Sequence, residues 1–225
     1  MVETGEADAF LAGLTQEYPK IIRPALQIIG TSTEVSKVAG MHIMLSKKGP
    51  IFISDTTINI DPTAEDLVDI SLLTANAVKQ FNIKPRVALL SYSNFGSVNA
   101  EESNKVRKAF QLLKKKDPGF VFDGEIQANL AFNPELLEEN YPFSILTVCP
   151  ANTLIFPNLS AGNITYKLLH ELCEIESIGP ILLGLKKSVH VLQMGSSVRE
   201  IVNMATIAVV DAQSKENIDI AKQKV

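Results

Sequence analysis

The sequence predicts a three-layer α/β/α fold in which a mostly parallel sheet carries one added β-hairpin. Strand-like apolar runs alternate with helix-like segments along most of the 225 residues, which is typical of a parallel sheet covered by helices. Residues 87–93 (VALLSYS) form a continuous apolar run, as expected for a strand that is buried on both faces. Residues 41–45 and 51–55 are two short apolar runs joined by a Lys-, Gly- and Pro-containing turn, which favours a hairpin.

The remaining elements follow from apolar spacing and from the residues at helix ends. We expect strands at 120–122, 143–149, 181–185 and 188–192, and an apolar strand over residues 147–156 that leads directly into Pro157. Helices are expected at 2–13, 101–115, 164 onwards and 198–213, and one further helix is expected to end at about residue 132. Asp61-Pro62-Thr63 with an acidic first turn predicts a helix that reaches Phe81. Within residues 18–30, a helix is expected to begin at Arg23-Pro24, because proline suits the first helical turn.

Two lobes are expected from this order of elements. Residues 1–85 are interpreted as part of a first lobe, truncated at its N-terminus and carrying the hairpin. Residues 86–225 are interpreted as a second α/β lobe. The N-terminal residues read like the middle of a helix, which favours a chain cut from a longer protein.

Composition argues against several classes of protein. A hydrophobic fraction of 46%, a charged fraction of 20% and a net charge of −4 describe a well-packed soluble protein with scattered basic residues, so no nucleic-acid partner is expected. No apolar run approaches the roughly 20 residues of a membrane span, and the N-terminus is acidic where a signal peptide would be basic. The two cysteines show neither disulfide nor metal spacing, which favours a reducing cytoplasm.

Three polar loops are expected to follow strands and to open helices. They comprise residues 91–97, 157–163 and 193–197, and each offers small side chains and backbone N–H groups. Such loops suit a phosphate-bearing or pantetheine-like ligand, because free N–H groups and the helix dipole favour an anion there. Ordinary strand-to-helix turns explain any one loop equally well. No loop has the Gly-Lys-Ser/Thr ending or the GxGxxG pattern of nucleotide-binding loops, which argues against nucleoside triphosphate hydrolysis.

A few single side chains stand out. The three histidines lack metal spacing: His42 and His170 are interpreted as structural, whereas His190 has the option of facing a cleft. Cys149 is interpreted as a core residue, although a Cys–His nucleophile pair stays open at this point. Arg23 suits either bidentate anion binding or a surface ion pair.

Nearly the whole chain resembles the phosphate acetyl/butyryltransferase family. The segments that carry the resemblance are GEADAFLAG, IIRPALQIIGT, DPTAEDL, RVALLSYSNFGS, KVRKAF, DGEIQAN, PNLSAGNITYKLL, IGPILLGLKKSVHVL and SSVREIVNMATIAVVDAQ. Known members transfer an acetyl group between acetyl phosphate and coenzyme A in a cleft between two lobes. The resemblance implies a fold of the isocitrate/isopropylmalate-dehydrogenase-like type. It also implies about a hundred further residues before the GEAD segment.

The sequence departs from the family where active members carry Asp-Leu-Ser-Arg-Gly-Cys-Ser followed by an Asp. The serine position is Gln193, the arginine position is Met194, and Glu200 stands near the aspartate position as a doubtful base. Methionine cannot neutralise a phosphate, and the loss of a charged transition-state contact commonly costs several kcal/mol of barrier. The resemblance therefore implies weak or absent transferase activity.

The final segments look most like the C-terminal domain of large bacterial NADP-dependent malic enzymes, in which such a module senses acetyl-CoA and supports assembly. The resemblance thus implies a regulatory acetyl-CoA domain with no cofactor of its own, and with NADP and a divalent metal in an absent malic enzyme body. It also implies a homo-oligomer, a dimer at least. The ligand residues expected on this basis are Arg23, Ser91, Ser93, Asn94, Gly96, Ser97, Asn158, Gly162, Asn163, Lys167, Gln193, Met194, Gly195 and Ser196.

Two other functions stay open. One is an active phosphate acetyltransferase in which Glu200 and Arg23 serve a divergent site. The other is a purely structural oligomerisation module, because residues 198–213 are apolar enough to contribute to an interface.

Overall fold

The computed structural model describes the backbone of residues 1–32 and 35–223 and the side chains of these residues up to 217. The strands are β1 Ala9–Ala12, β2 Ala39–Ser46, β3 Gly49–Ser54, β4 Arg86–Leu90, β5 Val121–Ile126, β6 Thr153–Ile155, β7 Ser177–Leu183 and β8 Ser188–Val191. The helices are α1 Tyr18–Ile28, α2 Ala64–Gln80, α3 Glu101–Lys116, α4 Ala128–Ala131, α5 Pro134–Asn140, α6 Leu159–Cys173 and α7 Val198–Gln223.

The chain forms two compact units. Unit 1 comprises residues 1–40 and 178–225, and unit 2 comprises residues 41–177. These bounds differ from the division at residues 85 and 86 that the sequence suggested, because β3 of the hairpin pairs with β6, which lies in residues 86–225. That residues 1–85 belong to a larger lobe stays a prediction.

Unit 2 contains a mixed sheet with the strand order β5-β4-β6-β3-β2. Strands β5, β4, β6 and β3 run parallel to one another, and β2 pairs with β3 in antiparallel register from Met41↔Ser54 to Ser46↔Gly49. The mostly parallel sheet and the added hairpin are therefore confirmed.

Helices cover both faces of this sheet. Ile53 and Leu154 join a buried cluster with Leu137 of α5 and Tyr166 of α6. Phe52 points to the opposite face, since neighbouring strand residues alternate, and its ring lies 5.9 Å from the ring of Phe81 at the end of α2. Helices α2 and α3 also pack against each other and against the sheet strands. Unit 2 is thus an α/β/α sandwich.

Unit 1 contains the parallel pair β1–β8, in register from Ala9↔Ser188 to Ala12↔Val191. Helix α7 packs against both strands, and the Ser188 hydroxyl donates a 2.9 Å hydrogen bond to the Ala208 carbonyl oxygen of α7. Val189 and Met204 are buried here.

Three predictions about elements were wrong. Residues 2–13 form turns and β1 rather than a helix, because their backbone pairs with β8. Residues 143–149 contain a 3₁₀ turn, Ile145–Thr147, rather than a strand; Ser144 caps this turn and donates a 2.6 Å hydrogen bond to Asp123. Helix α1 begins at Tyr18, so that Pro24 lies inside it.

None of the described helices combines the length and the apolar character that a membrane crossing requires.

Candidate functional site

In unit 2, the carboxyl ends of β3, β4 and β6 meet at one edge of the sheet, since these strands are parallel neighbours. The segments that follow these strands lead into α2, α3 and α6 respectively. This edge therefore collects helix N-termini, whose free N–H groups and dipoles favour polar or anionic ligands.

The loop of residues 91–97, after β4, is shaped by its own buried side chains. The Ser93 hydroxyl is buried, donates a 2.8 Å hydrogen bond to Glu125 and accepts one of 3.1 Å from the Val98 N–H group. The Asn94 side-chain oxygen accepts a 2.8 Å hydrogen bond from the Gln127 N–H group. Ser93 and Asn94, both expected as ligand residues, thus hold the loop in shape.

An ion pair between Glu125 and Arg107 holds this loop in place, because Glu125 also bonds Ser93 and Gly96 of the loop. The Glu125 carboxylate is fully buried; it accepts hydrogen bonds from Arg107 Nε at 3.0 Å, from Arg107 Nη2 at 2.9 Å and from the Gly96 N–H group at 2.9 Å. Burial opposes ionisation, but the hydrogen bonds from Arg107, Ser93 and Gly96 outweigh it, so that the pKa of Glu125 lies below its usual value.

This ion pair was not predicted from the sequence. The feature of the sequence that pointed to it is a glutamate within a strand, because a glutamate that is buried in a strand requires a partner for its charge.

The open part of the loop is formed by other residues. Ser91 is half-buried, and Gly96 and Ser97 are exposed, as is the ring of Tyr92. The N–H groups of Ser91, Gly96 and Ser97 are engaged within the protein, so the groups that this part of the loop offers to a ligand are the hydroxyls of Ser91 and Ser97.

The segment of residues 157–163 mainly fixes the start of α6. The Asn158 side chain caps the helix by accepting a 2.9 Å hydrogen bond from Ala161, and it donates one of 2.7 Å to Glu102. Gly162 approaches the carbonyl oxygen of Asp55 so closely that a Cβ atom there would overlap it. Asn163 donates a 3.0 Å hydrogen bond to the Thr56 carbonyl oxygen.

The turn after β3 is built around Asp55, another residue that the sequence analysis missed. Its buried carboxylate accepts hydrogen bonds of 2.8, 3.1 and 2.8 Å from the N–H groups of Thr57, Ile58 and Asn59. An Asp that follows a strand and precedes polar residues is typical of such a side-chain turn.

Lys167 is the exposed cation of α6 among the expected residues. Its side chain is exposed on the helix, and its ammonium group lies 5.1 Å from the ring centroid of Tyr166. It is therefore accessible to an anionic group.

A polar cavity of about 450 Å³ lies at the same edge. Its lining contains Asp61, Glu101, Glu102 and Lys105, and Lys105 already pairs with Asp61 at 2.6 Å. Carboxylates outnumber cations here, so this cavity suits a hydroxyl or amine group better than a phosphate.

In unit 1, the turn of residues 193–197 leads into α7. Gly195 has a φ of 87°, which glycine adopts without strain. Gln193 is half-buried, and the Met194 side chain is 65% exposed. The turn thus presents an amide and a thioether at these two positions.

Glu200, the doubtful base, caps α7. Its carboxylate accepts a 2.6 Å hydrogen bond from the Ser197 N–H group, and the Ser197 hydroxyl accepts one of 3.2 Å from the Glu200 N–H group. This reciprocal pair is a capping box, in which one oxygen of the carboxylate is hydrogen-bonded.

Arg23 lies in the second turn of α1 and is exposed. The expectation that it stands at a helix start was wrong, because Glu17 precedes the first turn and Pro19 lies in that turn.

The histidines are structural. His42 is buried, bonds Thr56 at 2.7 Å and stacks on Tyr166 at 4.1 Å; burial first, and then the nearby charge of Lys167, lower its pKa to about 3. His170 bonds the Ile175 carbonyl oxygen at 3.1 Å. His190 is fully buried and lies 3.4 Å from Asp211, so the option that it faces a cleft was wrong.

Cys149 is half-buried and Cys173 is exposed. Across the described residues, no group of three or more His, Cys, Asp and Glu side chains has the arrangement of a metal site.

Comparison with known proteins gives related sequences in two groups. The NADP-dependent malic enzyme of Haemophilus influenzae is 40% identical over 215 residues, which cover 96% of this chain and 28% of that protein. The phosphate acetyltransferase of Bacillus subtilis is 39% identical over 212 residues, covering 94% of this chain and 65% of that protein. The chain thus spans less than a third of the malic enzyme and about two thirds of the transferase.

A solved structure, that of a phosphotransacetylase from Streptococcus pyogenes, matches with a TM-score of 0.87 and 37% identity, covering 96% of this chain and 65% of that one. The family model described as phosphate acetyl/butaryl transferase matches residues 1–209. The chain therefore belongs to the phosphate acetyl/butaryl transferase family.

Proposed function

We propose that this chain is a regulatory, acetyl-CoA-binding domain of an NADP-dependent malic enzyme and that it has little or no transferase activity. One observation carries the proposal: the turn before α7 holds Gln193 and Met194 and no cation, while the Glu200 carboxylate is engaged in a capping box. Transfer of an acyl group to or from phosphate needs charge stabilisation at the phosphoryl oxygens, which neither an amide nor a thioether supplies.

The groups available to acetyl-CoA differ from the full set expected. In unit 2 they are the side chains of Ser91, Ser97 and Lys167, with Ser93, Asn94, Gly96, Asn158, Gly162 and Asn163 holding the backbone in position. Arg23 and the turn from Gln193 to Ser196 belong to unit 1 and stay predicted ligand residues. Exposed cations and serine hydroxyls favour the phosphates of coenzyme A.

Calorimetric titration of acetyl-CoA into the chain tests the binding. We expect saturable binding that is weakened several-fold by Arg23→Gln or Lys167→Gln, since each removes one charge near the phosphates. Lys115→Gln, an exposed charge near the end of α3, is the matched control and leaves the affinity unchanged. The absence of saturable binding at millimolar acetyl-CoA contradicts the proposal.

The regulatory part concerns the longer polypeptide. On this proposal the chain is fused to a malic enzyme body that binds NADP and a divalent metal and decarboxylates malate in the cytoplasm. Acetyl-CoA then changes malate turnover by binding two states of the oligomer with different affinity. Malate oxidation by the full-length protein, measured with and without acetyl-CoA, tests this coupling; identical rates contradict it.

Oligomerisation is part of the same proposal. Val198, Val202 and Val209 of α7 are 79%, 58% and 53% exposed and support a contact with another subunit. Val202→Glu is expected to lower the molar mass in light scattering; an unchanged mass contradicts this contact. The isocitrate/isopropylmalate-dehydrogenase-like assignment of the fold also remains a proposal.

An active phosphate acetyltransferase is the second candidate, supported by relatives that bear that name. Consumption of acetyl phosphate at tens of turnovers per second with coenzyme A favours this candidate, whereas background activity favours the regulatory domain.

A further inference from the structure

A second cavity opens at the other edge of the unit 2 sheet, where the parallel strands begin. Its lining includes Ile51 near the start of β3, Arg86 at the start of β4 and Asn152 just before β6. The loops of residues 91–97 and 157–163 follow the carboxyl ends of β4 and β6. Since these strands are parallel, the cavity and the candidate site lie at opposite edges.

The walls of this cavity are mainly apolar and reach the core. Met44 and Leu154 are buried, while Ile51, Leu169 and Ile175 are half-buried and pack against the core cluster. The volume is about 870 Å³, which lies within the range of small-molecule sites, roughly 300–1,000 Å³. A hydrophobic group of moderate size therefore has room here.

The charged lining residues are both cations, Lys48 and Arg86, and the lining contains no carboxylate. Arg86 Nε donates a 2.6 Å hydrogen bond to the Pro150 carbonyl oxygen, which fixes the guanidinium, while its two Nη atoms bond no described residue. The Asn152 side chain is engaged by the Arg86 N–H group at 2.8 Å and by the Lys84 carbonyl oxygen at 3.0 Å. The charge still open to a ligand is thus positive.

We propose that this cavity binds a small amphipathic anion, an aliphatic body with a single carboxylate head. The aliphatic body lies among Ile51, Leu154 and Leu169, and the carboxylate binds Arg86 and Lys48. An apolar body alone gains only from burial, whereas the head adds charge-assisted hydrogen bonds that a neutral analogue lacks. The site is independent of acetyl-CoA binding.

Octanoate is the probe for this proposal, and octan-1-ol is its neutral counterpart. Methyl NMR of the 225-residue chain is expected to show saturable shifts at Ile51, Leu154 and Leu169 with millimolar octanoate. Leu113 and Val106, buried on α3, serve as reference methyls and stay unshifted. Octan-1-ol is expected to bind about tenfold more weakly, since it lacks the charge.

Charge variants separate the head group from the apolar body. Lys48→Gln and Arg86→Gln are each expected to weaken octanoate binding about three- to tenfold while octan-1-ol binding stays the same. Arg86→Lys keeps much of the affinity. Lys47→Gln, on the same turn but outside the cavity lining, is the matched control and has no effect.

Several results overturn the proposal. These are the absence of methyl shifts, equal affinity for the acid and the alcohol, or unchanged octanoate affinity in both glutamine variants. Displacement of octanoate by acetyl-CoA contradicts a separate site. Shifts of the same methyls with protein concentration alone mean that a second copy of the chain occupies the cavity, which also overturns it.

Discussion

Glu200 shows how the role of one carboxylate depends on its neighbours. Its 2.6 Å hydrogen bond with the Ser197 N–H group stabilises the start of α7. The hydrogen bond holds one carboxylate oxygen at the helix start and orients the side chain along its own turn. The geometry thus favours a structural role for Glu200.

Gln193→Ser combined with Met194→Arg is predicted to raise acetyl transfer. Met194 is 65% exposed, so an arginine fits without overlap, and a guanidinium supplies the charge that the turn lacks. We expect a gain of at least about tenfold in coenzyme A-dependent consumption of acetyl phosphate. Gln193→Ser alone is the control and stays near background. Equal rates in the double variant and the parent contradict this account.

His42 is predicted to make stability depend on pH. Its pKa is lowered to about 3 in the folded chain by burial and by Lys167, against about 6.5 when unfolded. The unfolded chain therefore binds the extra proton between these values, and stability falls as the pH drops below about 6.5.

From pH 7 to pH 5 this loss amounts to about 2 kcal/mol. Urea unfolding of the parent and of His42→Gln at both pH values measures the loss as the difference between their slopes with pH. Parallel stability curves for the two proteins contradict the prediction.

At the level of elements, helix α6 packs closely against the end of β3 because Gly162 has no side chain. Gly162 lets the helix backbone approach the Asp55 carbonyl oxygen, and Asn163 bonds the neighbouring Thr56. The segment that the sequence analysis interpreted as a ligand loop is thus also the packing contact of the helix.

Gly162→Ala is predicted to destabilise unit 2 by about 1–3 kcal/mol, although alanine is the better helix former, because its Cβ overlaps the Asp55 carbonyl group. Ser160→Ala, at an exposed position of the same helical turn, is the control and has little effect. Chemical denaturation measures both. A more stable Gly162→Ala protein means that the close approach is absent.

Local signals predicted those elements whose cause is local. Thr63 and Asp66 form the expected cap of α2, with hydrogen bonds of 3.2 and 3.1 Å, and the turn with Lys47 and Lys48 closes the hairpin. The strand at Ala9–Ala12 was missed because its partner, β8, lies more than 170 residues later in the sequence. Neither spacing nor composition reports such a pairing.

The candidate site was predictable to a similar degree. Polar residues at strand ends indicated where the loops lie. The hydrogen bonds that shape them were not predictable in the same way: Ser93 bonds Glu125, which lies on another strand, and Asp55 bonds the N–H groups of its own turn. These hydrogen bonds decide which hydroxyl groups face the protein and which are left to face a ligand.

For the whole molecule, unit 2 is a single continuous segment of the chain, which bears on whether it can fold alone. Residues 41–177 form one uninterrupted stretch with five strands of a sheet and a buried core, whereas unit 1 is built from two separated segments. The fragment of residues 41–177 is therefore predicted to fold alone and to unfold cooperatively. Circular dichroism with urea tests this; a gradual transition with no baseline contradicts it. Leu137→Ala, in the core, is expected to lower the midpoint.

Gly162 also affects how tolerance to substitution is interpreted in this family. A survey of variants that scores only loss of activity will mark this glycine as intolerant, and proximity to a ligand loop will make it resemble a substrate contact. Its intolerance instead reports steric exclusion between two backbones. A soluble-yield or folding measurement beside each activity value distinguishes the two causes.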